Sequence, residues 1–260
     1  MSVPAPLTPD NIAADPLVAM VTGAARGMGA AIARRLAADG LAVVLADRRR
    51  EAIDALAVDI ARAGGRAAAL EVDLADAGQI ERLEAAARAT FGRLDVLVNN
   101  AGVILPKGFM EASVEEWDRM MAVNLRAVYL LCRAALPELR RRRGTIVNIA
   151  STAGLRAQME NGPYCVAKSG VIMLTQALAQ EVRAAGVRVN CVCPGAVDTP
   201  LLTEYARARG TPESIDALAA SGMLVPPEDA AATVSFLVSQ GARSITGQVL
   251  VVDRGGLVAG

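Results

Sequence analysis

The 260-residue chain contains no histidine, and only two of its 27 basic residues are lysines, Lys107 and Lys168. Any proton transfer near neutral pH must therefore fall to another side chain. A chain that writes arginine almost wherever positive charge serves keeps a lysine where lysine chemistry is needed. Aromatic residues make up 3 % of the chain while hydrophobic residues reach 53 %, so the core is built from Ala, Val, Leu and Ile. Such a core suits helices packed closely on a buried parallel sheet. The formal net charge is zero with both signs mixed along the chain, which removes the electrostatic reason for a nucleic-acid or acidic-membrane partner. No apolar run approaches the ~20 residues of a membrane span, and the opening "MSVPAPLTPDNIAADP" lacks the parts of a signal peptide. A cytoplasmic protein is expected, with residues 1–17 as a loose arm before a single domain over 18–260. Cys132, Cys165, Cys191 and Cys193 show no metal-ligand spacing. They are expected as small buried residues of a reduced compartment, with Cys191 and Cys193 pointing to opposite faces of a strand.

Short apolar stretches alternate with longer stretches of helical period. "VAMVTG" leads into "GMGAAIARRLAADG"; "LAVVLAD", "AALEVDL", "LDVLVNNAG", "GTIVNIAS", "VRVNCVCPG" and "QVLVVD" follow. Helices are predicted between them, over about 76–90, 114–142, 163–185 and 227–240 among others. The run Arg140 to Arg143 is expected to end a helix, where cations complement the terminal dipole. Strands separated by helices imply right-handed crossovers, hence an α/β doubly wound Rossmann fold with a mainly parallel seven-stranded sheet. The stretch of about 199–226, rich in Pro, Gly and Thr, breaks the rhythm and is expected to be a mobile lid over the substrate.

"TGAARGMG" joins the first strand to the first helix, and Gly23, Gly27 and Gly29 allow a sharp turn and close approach of a diphosphate to the helix N-terminus. Asp47 ends the second strand, where a carboxylate accepts hydrogen bonds from the adenosine ribose hydroxyls. NADP carries a 2′-phosphate there, and like charges a few ångströms apart cost roughly 1 to 4 kcal/mol. NAD is therefore favoured over NADP. Arg26 and Arg48 to Arg50 argue the other way, since guanidinium groups can grip that phosphate; a solvated helix start in an arginine-rich chain is the better account of them.

"YCVAK" places Tyr164 and Lys168 on one helical face. Reducing a carbonyl with a nicotinamide requires a proton for the oxygen, and the reverse requires a base for it. A phenol with an ordinary pKa near 10 needs a positive neighbour to serve as that base at neutral pH. Lys168 is in position to be the neighbour. Ser151, at the end of a strand, and Asn124, inside the preceding long helix, complete the company.

With these motifs, and with "NNAG" at 99–102, "PGAVDT" at 194–199 and "TGQVLVVD" at 246–253, the chain resembles the short-chain dehydrogenase/reductase family from about Val18 to Asp253. The resemblance implies that Tyr164 exchanges the substrate proton and that Ser151 positions the substrate oxygen. It implies that Lys168 binds the nicotinamide ribose and lowers the tyrosine's pKa, while the main chain of Asn124 holds a water. Asp73 is expected at the adenine, Asn100 beside Gly102 along the cofactor channel, and Thr199 at the carboxamide. Arg26, Met28, Leu74, Ala101, Pro194, Gly195 and Val197 join the implied cofactor contacts. The helices at about 114–142 and 163–185 would form the interface of a homotetramer. Two departures stand out: Ala150 precedes Ser151 where a serine is usual, and "VDRGG" replaces "VDGG", so the C-terminal tail is expected to follow a different course.

The expected activity is NAD-dependent interconversion of a secondary alcohol and a ketone. An NADPH-dependent 3-oxoacyl-thioester reductase, with the Arg140 to Arg143 run attracting an acidic carrier protein, is the nearest alternative. A catalytically idle dinucleotide-binding sensor or scaffold is the alternative from another class. The substrate pocket is expected to draw on Ile104, Leu105, Leu155, Gln158 and the 199–226 segment.

Overall fold

The computed structural model describes residues 16–258, so the expected arm lies outside the described residues apart from its last two positions. Seven strands form one sheet: β1 (Val18–Thr22), β2 (Ala42–Asp47), β3 (Arg66–Glu71), β4 (Val96–Asn99), β5 (Thr145–Ile149), β6 (Arg188–Pro194) and β7 (Val249–Val252). Their order is β3-β2-β1-β4-β5-β6-β7 and every pairing is parallel. β1, β2, β4 and β5 are buried along their whole length, which explains why they read as continuous apolar runs rather than alternating ones.

Register sorts the side chains into two layers. Met20 is paired with Val44 and Leu97, and Leu97 with Ile146; all face the layer that packs under α3 (Ala77–Phe91), α5 (Ala127–Arg142) and α6 (Gly162–Val182). Their neighbours Val21, Leu45, Val98 and Val147 face the other layer, under α1 (Gly27–Ala38), α2 (Arg50–Arg62) and α9 (Pro227–Val238). Each fully buried Leu, Ile or Met contributes roughly 1.5–3 kcal/mol. The strand order reverses between β1 and β4, and the crevice beyond the C-terminal ends of these two strands is where a ligand enters such a fold.

Cys191 and Cys193 overturn the expectation of opposite faces. Residues two apart on a strand share a face, and the two thiols lie 4.0 Å apart in the same core layer. All four cysteines are buried and free. The long helix expected over 114–142 is present, but in three parts: α4 (Val114–Met121), a π-helical turn (Ala122–Arg126) and α5. Contrary to expectation, this stretch does reach the length and apolarity of a membrane span; 44 % of its most apolar window is buried within the protein. The arginine run ends α5 as expected, with Arg141 and Arg142 both bonded to Glu138.

The 199–226 segment is not an irregular loop. It folds into α7 (Pro200–Ala208) and α8 (Glu213–Ala220). Thr199 accepts from the Leu202 amide as the N-cap of α7, and Pro200 occupies the first helical position, where its missing N–H has no partner to lose. Gly210 and Gly222, both at positive φ, lie just beyond the two helices. The residues that look like loop formers are thus helix boundaries.

Candidate active site

A cavity of about 740 Å³ runs beyond the C-terminal ends of the strands. Its floor at one end is the phosphate loop. Gly23 and Gly27 take positive φ, and a Cβ on Gly29 would fall 2.1 Å from the Gly23 carbonyl oxygen, so only glycine closes this turn. Asn100 locks it from the side: Nδ2 donates to the Thr22 carbonyl at 2.8 Å, and the amides of Asn100 and Ala101 donate to Thr22 Oγ1.

Asp47 stands at the end of β2 with its carboxylate fixed by four donors. The amides of Ala25 and Arg49 donate at 3.2 and 3.0 Å, and the Arg49 guanidinium donates to both oxygens. Burial alone would raise its pKa; the hydrogen bonds from Arg49 and Ala25 outweigh burial and hold it below the ordinary carboxylate value. Arg26, on the phosphate loop, is held bidentately by Glu204 of α7. Asp73 spends one oxygen on the Ala75 amide, so it also stabilises the turn after β3. Leu74 lines the cavity beside it.

At the other end, α6 carries Tyr164 and Lys168 one turn apart, both buried. The Lys168 ammonium donates to the Ile149 carbonyl at 2.9 Å and lies 5.6 Å from the Tyr164 ring. Ser151 follows β5, accepts from the Ala153 amide, and lies close enough to the Tyr164 phenol to lower its pKa. Burial pushes that phenol up to about 12, against the pull of Ser151. Burial also pushes Lys168 down to about 8. The expected lowering of the phenol by its neighbour is therefore not what the pair displays: both ionised forms are desolvated, and the ammonium is turned to a carbonyl.

Every residue expected to touch a cofactor borders this cavity, from Gly23, Arg26, Gly27, Met28 and Gly29 to Pro194, Gly195, Val197 and Thr199. Asn124 does not border it. It is fully buried in the π-helical turn, where Oδ1 accepts from the Val103 amide and Nδ2 donates to the Val103 carbonyl. Its place is behind the wall: a Cβ on Gly102 would lie 2.8 Å from Asn124 Oδ1 and 3.6 Å from Lys168 Nζ.

The sequence model of a family described as enoyl-(acyl carrier protein) reductase matches residues 23–256. The chain is 38 % identical over 245 residues to meso-2,3-butanediol dehydrogenase of Serratia marcescens, covering 93 % of this chain and 94 % of that one. The chain belongs to the short-chain dehydrogenase/reductase family. Among solved structures, actinorhodin polyketide ketoreductase with NADPH superposes with TM-score 0.88 at 35 % identity, over 92 % of this chain and 97 % of that one. The 3-ketoacyl-(acyl-carrier-protein) reductase of Brucella melitensis with NADH does so with TM-score 0.83 at 36 % identity, over 93 % and 98 %.

As a short-chain dehydrogenase/reductase the protein is an oxidoreductase of CH–OH groups, interconverting a secondary alcohol and a ketone with a nicotinamide dinucleotide. The residues present fit that cofactor: the cavity runs past the glycine turn at the N-terminus of α1, and only glycine at position 29 lets that turn close against Gly23. Of the expected substrate-pocket residues, Ile104 and Gln158 border the cavity, whereas Leu105 and Leu155 do not. Leu105 packs into the small core around Met120 and Ala153 instead, and Leu155 is half exposed. Sequence reasoning missed Glu204, Tyr205, Arg209 and Asn161. No local signal marks Glu204, whose partner is 178 residues away. In "VDRGG", Arg254 takes a left-handed φ of 52° and donates to the Gly222 carbonyl just after α8.

Proposed function

We propose that this enzyme uses NAD rather than NADP and that Tyr164 is its acid–base residue. The convergence of Tyr164, Ser151 and Lys168 at one end of the glycine-cradled cavity carries the reading. The dinucleotide supplies or accepts the hydride. In reduction, the Tyr164 hydroxyl, protonated at neutral pH, donates to the substrate oxygen while Ser151 hydrogen-bonds the same oxygen. In oxidation Tyr164 takes the proton back. Lys168, held by Ile149, places positive charge where phenolate character develops and would bind a ribose hydroxyl of the dinucleotide. Asn124, by clamping Val103, fixes the backbone of the Gly102 turn beside that ammonium.

For the cofactor, Asp47 would accept from ribose hydroxyls in exchange for the Arg49 guanidinium it now holds, and its charge opposes a 2′-phosphate. Two of the three arginines lining that end are already matched, Arg49 by Asp47 and Arg26 by Glu204, and Arg48 is the third. The acyl-carrier alternative is supported by the likeness to the two ketoreductases. Against it, the Arg140–Arg143 run directly precedes β5 and so lies at the N-terminal edge of the sheet, opposite the cavity. Comparing kcat/KM for NADH and NADPH tests the cofactor choice, and a clear preference for NADPH overturns it. A panel of secondary alcohols followed through NADH absorbance tests the reaction.

Two separate apolar areas support a homotetramer. Tyr129, Val166 and Met173 are exposed on α5 and α6, and Phe236 and Val251 are exposed at the α9 and β7 edge. A monomeric mass by light scattering at micromolar concentration contradicts it.

A further inference from the structure

α7 and α8 have little apolar anchorage. Ala206 is the one buried residue of α7, α8 has none, and the two helices pack chiefly on each other. Their segment is fixed at its two ends, where Val197 and Val225 form a parallel bridge: the Asp198 amide donates to the Val225 carbonyl at 2.9 Å and the Val225 amide to the Ala196 carbonyl at 2.8 Å. Between these ends three arginines tie it to the rest of the protein. Arg26 reaches Glu204 from the phosphate loop, Arg209 of the segment reaches Glu160 before α6, and Arg254 reaches the Gly222 carbonyl from the tail. A unit with few buried apolar contacts opens at low free energy, so ties of this kind decide how often it opens.

The Arg26 tie differs from the other two because it joins the phosphate loop to α7, and both of its side chains border the cavity. The guanidinium holds both carboxylate oxygens, with Nη2 donating to Oε2 at 2.7 Å, and this two-point match fixes direction as well as distance. The loop and the start of α7 also touch directly: a Cβ on Gly27 would lie 3.1 Å from Thr199 Cβ and 3.6 Å from Pro200 Cδ. The two side chains are 38 % and 53 % exposed, which puts the bond at the rim of the cavity rather than across its interior. A bond in that place encloses a ligand without filling the ligand's space.

We propose that the Arg26–Glu204 pair is a latch that closes α7 onto the phosphate loop and sets how fast the dinucleotide leaves. The inference rests on the dinucleotide site and is independent of which alcohol or ketone is the substrate.

The test follows NADH fluorescence by stopped flow, displacing NADH from the enzyme with excess NAD. In Glu204→Gln the release rate constant is expected to rise about fivefold while the association rate constant changes by less than about twofold, the size of effect one exposed bidentate pair supports. Raising salt from about 0.05 to about 0.5 M should speed release from the wild type and shrink its difference from the variant. Asp59→Asn, which removes the exposed partner of Arg34 away from the cavity, leaves release unchanged. Glu204 is exposed and Gln keeps its size, so the replacement leaves the fold intact. An unchanged release rate in Glu204→Gln, or an equal rise in Asp59→Asn, overturns the latch. Faster association with unchanged release also overturns it, because the bond would then be a plug that the cofactor displaces. Failure of the wild type to bind NADH and NADPH alike defeats the dinucleotide site and the latch with it, and is told apart because no release is seen at all.

Discussion

The two ends of the cavity handle charge in opposite ways. At the adenosine end the charged groups are paired, buried Asp47 with partly exposed Arg49 and exposed Glu204 with Arg26. At the nicotinamide end Tyr164 and Lys168 are buried, and the ammonium meets a carbonyl rather than a carboxylate. Paired charges in water discriminate between ligands at little expense of stability. Unpaired ionisable groups in a dry site are reactive because their protonation is finely balanced, and the fold carries the desolvation. One end selects and the other reacts.

The sharpest way to break this division is Tyr164→Phe. Turnover should fall by about 10³-fold or more while NADH still binds, because a proton donor is lost and packing is nearly kept. Substantial residual activity would move the acid–base role elsewhere. Lys168→Met should lower kcat by roughly 10²-fold and yet raise the melting temperature at pH 7. The sign follows from its folded pKa of about 8, below the ordinary lysine value. Below pH 8 the lysine is charged in both states and the folded state bears the burial penalty, on the order of 3 kcal/mol; the penalty fades as pH rises from 8 toward 10.5. Differential scanning calorimetry across that range checks it, and an unchanged or lower melting temperature for the variant would contradict it. The same titration shapes the rates. Ketone reduction should hold steady below about pH 8 and decline above it, as Lys168 loses its proton.

The selecting end should respond more gently. Asp47→Ser is expected to shift the NADH-to-NADPH ratio of kcat/KM by about tenfold to a hundredfold, with kcat on NADH little changed. Glu204→Gln should shift that ratio in the same direction by only about threefold to fivefold, because it frees Arg26 for a 2′-phosphate but removes a solvent-exposed pair. Steady-state kinetics with both cofactors measures each, and a large loss of kcat in either variant would blur the distinction between the ends.

Much of the site was legible because it is local. The glycines of "TGAARGMG" and the four-residue step from Tyr164 to Lys168 are each set by one turn of backbone, and spacing alone places them. Asp47 was found because strand ends are where such a sheet meets its ligands. The helices within 199–226 went unread because Pro200, Gly210 and Gly222 punctuate helices as readily as they break them. The opposite-face expectation for Cys191 and Cys193 failed against the two-residue period of a strand. Asn124 sits in a π-helical turn that nothing in "VNL" announces, and Asn161 looked like an ordinary residue between Gln158 and Tyr164.

The order of strands and helices, the cradle at Gly23 to Gly29 and the shared face of Tyr164 and Lys168 were written in the chain itself, since periodicity and steric demand act over a few residues. The bond between Arg26 and Glu204 and the balance of burial against charge at Tyr164 were decided only by tertiary structure. Each depends on the distance and dielectric between groups far apart in sequence, and those quantities exist only once the layers have closed over the sheet.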